Sequence, residues 1–314
     1  QAGPGLYAAA MVDNVEVHPE VADALAEHRP VVALESTIFS HLGLPSPHNT
    51  TALSACVDAI RAEGAVPAIT AVLAGRAHVG LEAHNHELIL GPAHKTSSRD
   101  LGVALAQRWP VGATTVSASL VLAATAGISV FATGGIGGVH IGAEQSFDVS
   151  ADLGAIADHR VVTVCAGPKY FLDLPATLEV LESAAVPVLG YGCDELPAFY
   201  SPWSGCSLTT RVESATEVAA VATAHWSLAG GGVLTTVPIP AAAAIERTEL
   251  DGILTTALER AAREGLRGAA ITPVILAETA RLSEGRSVTA NLALAENNAR
   301  VAAQIAGALS SRSG

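Results

Sequence analysis

The sequence predicts an α/β protein with a largely parallel sheet, on three observations. Apolar runs of strand length, Pro30 to Glu35, Ile128 to Phe131 and Arg160 to Cys165, show little polar alternation, as strands buried on both faces do. Stretches of helical length and pattern separate them. Chemically distinctive residues stand where those runs end: Glu35, a glycine-rich stretch after Phe131, and Lys169. In open α/β sheets ligands bind beyond the carboxyl ends of the strands, so parallel strands would bring these three groups to one edge.

The 314 residues suffice for a large core, and half are hydrophobic, which excludes a disordered chain. A net charge of −13 argues against a nucleic-acid backbone as partner. The longest near-apolar stretch, Val116 to Thr133, is interrupted by Ser117, Ser119, Thr125, Gly127 and Ser129, and reads as a buried helix and strand, not a membrane span. Cys56, Cys165, Cys193 and Cys206 lack C-x-x-C or zinc spacing, so reduced thiols and a cytoplasmic location are expected. Gln1 to Ala10 precede the only methionine, Met11, and are expected to be an appended leader (residues 1–10), leaving residues 11–314 as one domain.

In chain order, Asp13 to Glu27 has a helical pattern, with Val15, Val17, Val21, Ala24 and Leu25 on one face. The first strand ends on Glu35-Ser36-Thr37, and the loop His41 to Asn49 would lie over that edge. Thr50 to Glu63 is a helix ended by Gly64, Ala65 to Leu73 a strand, and Val79 to Leu90 a short helix. Its neighbours His78, His84 and His86 lack the spacing of a zinc site and read as a solvated face. His94 to Asp100 holds two cations and three hydroxyls, suited to a phosphate, with Ser98 as helix cap for Asp100 to Arg108. Gly112 to Val116 opens an apolar helix that ends at Gly127. Beyond the glycine-rich stretch follow a helix Ser150 to Asp158, a strand, and helices and strands at Leu174 to Ser183, Val186 to Gly190, Ala215 to Leu228 and Gly231 to Val237. Asp194 to Ser207, with Phe199, Tyr200 and Trp203, reads as a lid or an oligomer contact. Three helices close the chain, Ala241 to Gly265, Thr272 to Leu282 and Ser287 to Leu309, the last carrying Asn291, Asn297 and Asn298 as candidate buried hydrogen-bonding groups.

Thr133 to Asp152 concentrates the chemistry. Five of its first ten residues are glycine, and His140, Glu144, Asp148, Ser150 and Asp152 follow. Such a loop at a strand end allows backbone N–H groups to approach an anion. It is neither a dinucleotide fingerprint, because His140 stands at the last glycine position, nor a P-loop, because Ala143 follows Gly142. The chain has 15 arginines but only two lysines, Lys95 and Lys169. Lysine, unlike arginine, can lose its proton when buried and act as a nucleophile. A lysine, a strand-end carboxyl group, an anion cradle and an Asp-rich loop together suggest Schiff-base chemistry on a phosphorylated carbonyl compound or sugar. Asp148 with waters would suit Mg²⁺ or Mn²⁺.

The order of these pieces resembles the pseudouridine-5′-phosphate glycosidase family, which includes proteins labelled indigoidine synthase A. The matching segments are Val32 to Thr37, Gly64 to Ala68, Gly112 to Val116, Thr133 to Asp152, Val164 to Lys169, and Asn291 with Asn297-Asn298-Ala299. The likeness runs from about Pro19 to the C-terminus, and the long TGGIGGVH…FD-x-SAD segment is far more specific than any short glycine pattern. The resemblance implies a three-layer α/β/α fold, a homotrimer, and Mn²⁺ or another divalent cation. It implies reversible cleavage of the C–C glycosidic bond of pseudouridine 5′-phosphate to uracil and ribose 5-phosphate through a lysine iminium intermediate. By the same resemblance Lys169 is the nucleophile, Glu35 the proton donor and Asp148 the metal ligand. Lys95, Val116, Ser150, Ala151 and Asp152 fall on substrate contacts, and His140 and Asn291 on other active-site positions. Three departures bear on substrate preference. The loop Ser40 to Pro45 is one residue longer than the common form, Ser98-Arg99 replaces an Arg-Arg pair, and Ile141 stands where many members carry arginine. A Schiff-base lyase or aldolase on another sugar phosphate, and a non-catalytic sugar-phosphate binding protein, are the competing readings.

Overall fold

A computed structural model describes residues 15–228, 230–265 and 271–313; the expected leader and Met11 lie outside them. The strands are β1 Val15–Val17, β2 Val31–Leu34, β3 Val66–Leu73, β4 Arg76–Val79, β5 His94–Thr96, β6 Val111–Thr114, β7 Val130–Ala132, β8 Val162–Cys165, β9 Val188–Tyr191, β10 Thr210–Val212 and β11 Val233–Thr236. The helices are α1 Pro19–Ala26, α2 His48–Ala62, α3 Ala83–Leu90, α4 Leu101–Ala106, α5 Val116–Ala126, α6 Ala143–Ser146, α7 Ala151–Asp158, α8 Leu174–Ser183, α9 Ala215–Leu228, α10 Arg247–Arg263, α11 Ile271–Leu282 and α12 Arg286–Ser313.

Seven strands run parallel in the order β3-β2-β7-β8-β11-β9-β10. The other four are appended beside β3: β4 and β6 pair with it antiparallel, and β1 and β5 extend those strands. Apolar strands divide their side chains between two cores, because successive residues face opposite ways. Val32 and Leu34 of β2, Val130 and Ala132 of β7, and Val162 and Val164 of β8 join one core with α2, α9 and α12. Val31 and Ala33, Phe131, and Cys165 join the other, with α1, α5 and α7. The result is the expected α/β/α sandwich.

Several elements depart from the sequence reading. Asp13 to Glu27 is not one helix: Val15–Val17 pairs with β4 as a strand, and Pro19 starts the helix after His18. Val79 ends β4 rather than opening a helix. Ser97, not Ser98, caps the turn before α4, with Asp100 bonded back to it. His94–Thr96 and Val111–Thr114 are paired strands, and Thr210–Val212 adds one more. The stretch after Ala241 begins with a single 3₁₀ turn, and its helix starts only at Arg247. Tertiary pairing overrides local pattern in each short strand. Among the described residues no helix is long and apolar enough to cross a membrane. All four cysteines are free, and only Cys206 is not buried.

The 28-residue α12 packs chiefly against α2 and also against β7, β8 and β2. Small buried residues, Ala290, Ala295, Ala299, Ala302 and Ala306, allow that close approach. In this apolar face Asn298 is fully buried, and its amide donates to the carbonyls of Thr133 (2.8 Å) and Gly134 (3.2 Å) at the end of β7. Asn298→Ala should therefore strip the buried Thr133 carbonyl of this donor, while the Gly134 carbonyl keeps Ala166 N–H, and lower stability by about 1 kcal/mol or more, measured by urea denaturation.

Candidate active site

The order of the parallel strands reverses between β2 and β7. From β2 the chain proceeds to β3 on one side, and the later strands add on the other. Such a switch point opens a crevice at the carboxyl ends. Glu35 leaves β2 there, and Thr133 leaves β7. The Thr133 hydroxyl donates a short hydrogen bond to the Glu35 carboxylate, joining the two strand ends. Both side chains are buried. Burial pushes the Glu35 carboxyl up to about 7; the Thr133 bond and the charges of Lys169 and Lys95 pull the other way, and Asp152 adds to the rise. These influences place both lysines and Asp152 within electrostatic reach of Glu35.

Beyond β7 and β8 the two chains continue side by side. Ala166 N–H donates to Gly134 (3.0 Å), Ile136 N–H to Gly167 (3.2 Å) and Lys169 N–H to Ile136 (3.2 Å). This pairing fixes Lys169 beside the glycine loop. Its side chain is half-buried, and no hydrogen bond or ion pair to another described residue holds its ammonium. Lys95 stands exposed on β5, next to Ala113 of β6.

The glycine loop is a packed object more than an open anion cradle. Ile136, Gly137, Val139 and His140 already spend their N–H groups on the Gly167 carbonyl, the Asp152 carboxylate, the Thr177 hydroxyl and the Asp148 carbonyl. A Cβ on Gly135 would strike the Phe199 ring, one on Gly137 the Ser150 hydroxyl, and one on Gly138 the Thr177 hydroxyl. Glycine is needed here for space. Asp152, 9% exposed, braces the arrangement: it accepts from Gly137 N–H (2.9 Å) and from Ser117 N–H in the first turn of α5 (3.0 Å). Val116 is thereby held at that helix start, and Ser150 caps α7 through Asp152 N–H. Ala151 is exposed.

Residues 138–150 form an excursion closed by Ser150 N–H to the Gly138 carbonyl, with α6 at its tip. His140 and Asp148 face each other across it, Nδ1 to Oδ2 3.9 Å, each about one-third exposed (29% and 33%). Among the described residues no three His, Cys, Asp or Glu side chains gather as a metal site. A divalent cation at Asp148 would draw on one carboxylate and water. That donor set fits Mg²⁺ or Mn²⁺, hard cations that keep several waters. No hydrogen bond or ion pair joins this pair to Glu35 and Lys169. His78, His84 and His86 stay apart from the crevice chemistry; His78 pairs with Glu16 and exposed His84 with Glu82.

Asn291 of α12 lies over Gly134, its buried Oδ1 without a hydrogen-bond partner and its side chain against the Tyr200 hydroxyl. An unpartnered buried acceptor facing this crevice is a natural contact for a ligand N–H or O–H. In the aromatic loop, Phe199 and Tyr200 are buried against the site while Trp203 stays exposed. Thr133, Ser36, Thr114 and Tyr200 escape sequence reasoning as site residues. Thr133 opens the stretch that the sequence singles out, but nothing there assigns it a role of its own.

The family profile described as indigoidine synthase A like protein matches residues 20–308. A pseudouridine-5′-phosphate glycosidase of Herpetosiphon aurantiacus is 50% identical over 93% of this chain and 96% of its own length. Among solved structures, the prealnumycin C-glycosynthase AlnA in complex with ribulose 5-phosphate superposes with a TM-score of 0.89 at 38% identity, covering 95% of this chain and 98% of that one. An indigoidine synthase A-like protein of Thermotoga maritima gives 0.83 at 32% identity, over 94% and 96%.

Burial of Glu35 predicts a pH dependence of stability. The folded chain holds this proton more tightly than the unfolded chain, so raising the pH from 4.5 through about 7 removes stability. Glu35→Gln escapes that loss. It should melt like the wild type near the acid end of this window and be more stable above it, by about 3 kcal/mol. Melting curves across the range check this.

Proposed function

This chain belongs to the indigoidine synthase A-like family, and we propose that it is a pseudouridine-5′-phosphate glycosidase. It cleaves the C–C bond of the nucleotide to uracil and ribose 5-phosphate, reversibly. One observation carries the reading: a buried carboxyl group poised near neutrality, Glu35, in electrostatic reach of Lys169 at the switch point. A group with that proton affinity can both donate and retrieve a proton at physiological pH. The relative from Herpetosiphon aurantiacus bears the name of this activity, and the AlnA enzyme was solved with a sugar phosphate, ribulose 5-phosphate.

In the proposed reaction Glu35 protonates the ribose ring oxygen while the neutral Lys169 amine adds to C1′. The bond between C1′ and the ring oxygen breaks, and the sugar opens. The lysine nitrogen, cationic after adding, returns a proton to the Glu35 carboxylate, and Glu35 passes it to uracil C5. The Lys169 nitrogen lone pair forms C=N, and the C1′–C5 bond electrons leave with the base. Water adds to the iminium, releasing ribose 5-phosphate and the free amine. Covalent attachment to lysine splits one difficult step into easier ones, because carbon is a poor leaving group. Lys95 neutralises substrate phosphate at the rim, with Ser97, Ser98 and Arg99 beside it. Asn291 accepts from a substrate donor. Val116, Ser150, Ala151 and Asp152 shape the wall between α5 and the glycine loop. Asp148, with His140 alongside, would hold Mn²⁺ or Mg²⁺. Such an ion supplies positive charge to orient and neutralise the substrate. We further propose a cytoplasmic homotrimer without nucleic-acid or membrane partners; light scattering would then read three times the 31.7 kDa chain mass.

Lys169→Ala should fold and lose activity by about 10³-fold or more in a uracil-release assay. Borohydride with ribose 5-phosphate should trap the wild type at Lys169 and leave the variant unlabelled. Undiminished turnover by Lys169→Ala would sink the mechanism, and trapping with other sugar phosphates but not ribose 5-phosphate would favour an aldolase-like activity. Chelation should suppress uracil release and Mn²⁺ restore it; release indifferent to both removes the metal from the scheme.

A further inference from the structure

Two strands end against each other beside Glu35. Along one flank of β3, β2 pairs with Val66 to Ile69 and β6, running the opposite way, pairs with Ala71 to Leu73. Their C-terminal ends therefore meet head-on at the level of Thr70. Neither end can continue its ladder, and the backbone groups there need other partners.

Hydroxyl groups supply them. Ser36 N–H donates to the Thr114 hydroxyl (3.3 Å) and Thr114 N–H to the Ser36 hydroxyl (2.9 Å), a reciprocal pair, with the two oxygens 3.1 Å apart. The Thr114 hydroxyl donates to the Thr70 carbonyl (2.7 Å), and the Thr70 hydroxyl donates to the Leu34 carbonyl (3.0 Å). Thr37 closes the turn, its N–H (3.1 Å) and hydroxyl (2.7 Å) both donating to the Thr114 carbonyl. Ser36, Thr70 and Thr114 are fully buried. Residue 35 is the one that leaves the sheet at this junction, so its side chain direction is set by its two neighbours in sequence and by β6.

We propose that Thr114, with Ser36, is a positioning residue for Glu35: the reciprocal hydroxyl–amide pair turns the chain out of β2 so that the carboxyl meets Thr133 in the dry crevice. The role given to Glu35 rests on the proposed function; the geometry of the junction does not. The groups facing Glu35 are Lys169 after β8, Lys95 on β5, Asp152 on α7 and the Cys56 thiol of α2, with Ala295 of α12 alongside. None of the four charged or titratable groups bonds to Thr114 or Ser36, so removing a hydroxyl at the junction leaves them in place. A loosened turn admits water to the carboxyl and weakens its hold on the proton.

The test is a titration of the Glu35 carboxyl by carbon NMR of glutamate-labelled protein, the resonance identified by its loss in Glu35→Gln. Thr114→Val and Ser36→Ala should lower the midpoint by about one pH unit or more, a tenfold change in proton affinity. Thr114→Ser, which keeps the hydroxyl, should restore it. In turnover, Thr114→Val should lose about tenfold or more in kcat with KM within about twofold, and the alkaline limb should move to lower pH, since the acid must be protonated to act. A folded Thr114→Val or Ser36→Ala with the wild-type midpoint overturns the proposal. If Thr114→Val does not fold, Ser36→Ala decides. The titration needs no substrate, so a wild type that releases no uracil overturns the proposed function and leaves this measurement to stand or fall alone.

Discussion

The hydrogen bond from Thr133 to Glu35 is the contact to which the rest of the site is referred. It ties together the ends of two adjacent parallel strands, between residues 98 positions apart in the sequence. On one side of it, β6 pushes the chain out of line at Ser36. On the other, the glycine loop carries the frame to Lys169 by backbone pairing, and Asp152 carries it to α5. Each of these braces uses backbone N–H or carbonyl groups, which have no rotamers to lose. The Glu35 and Lys169 side chains thus sit in a rigid surround, while the Lys169 ammonium stays unbonded.

The electrostatics follow from that packing. An ionised carboxylate in a dry crevice is expensive unless cations or donors face it. Glu35 has one hydroxyl donor, two lysines that do not bond to it, and an aspartate nearby. The balance falls on the side of the proton. Were Lys169 to bridge Glu35 directly, the carboxyl group would be ionised and the amine engaged. Separation keeps both groups usable.

Much of this is legible in the sequence. The buried strands stand out as apolar runs, and Glu35, the glycine stretch and Lys169 stand at their ends, where a parallel sheet makes them neighbours. The short strands β1, β5, β6 and β10 are not legible. Three or four residues carry no period of their own, and His94-Lys95-Thr96 looks like a polar loop until β6 pairs with it. In sequence the glycine loop offers its N–H groups, whereas in the fold its composition answers to Phe199, Ser150 and Thr177, side chains far along the chain or folded back on it. Ser36 and Thr114 receive no role from the sequence because a lone hydroxyl is common at strand ends and turns, and only the head-on meeting of β2 and β6 gives these two a task. Thr133 opens the glycine-rich stretch, but its partner Glu35 shows only in the fold. Asn298 is a candidate buried hydrogen-bonding group from its apolar setting alone, and its two carbonyl partners show what it holds.

Asn298 also imposes an order on folding during synthesis. Its contacts with Thr133 and Gly134 span 165 and 164 residues, so α12 leaves the ribosome well after the strand ends that it clamps. Both core layers around β2 and β7 can begin to assemble earlier, but the glycine loop lacks its clamp, and Asn291 is absent, until α12 docks. Long-range closure of this kind is slow compared with local helix formation. A nascent chain in which α12 has not yet docked therefore carries Glu35 and Lys169 without the clamp that fixes the glycine loop between them.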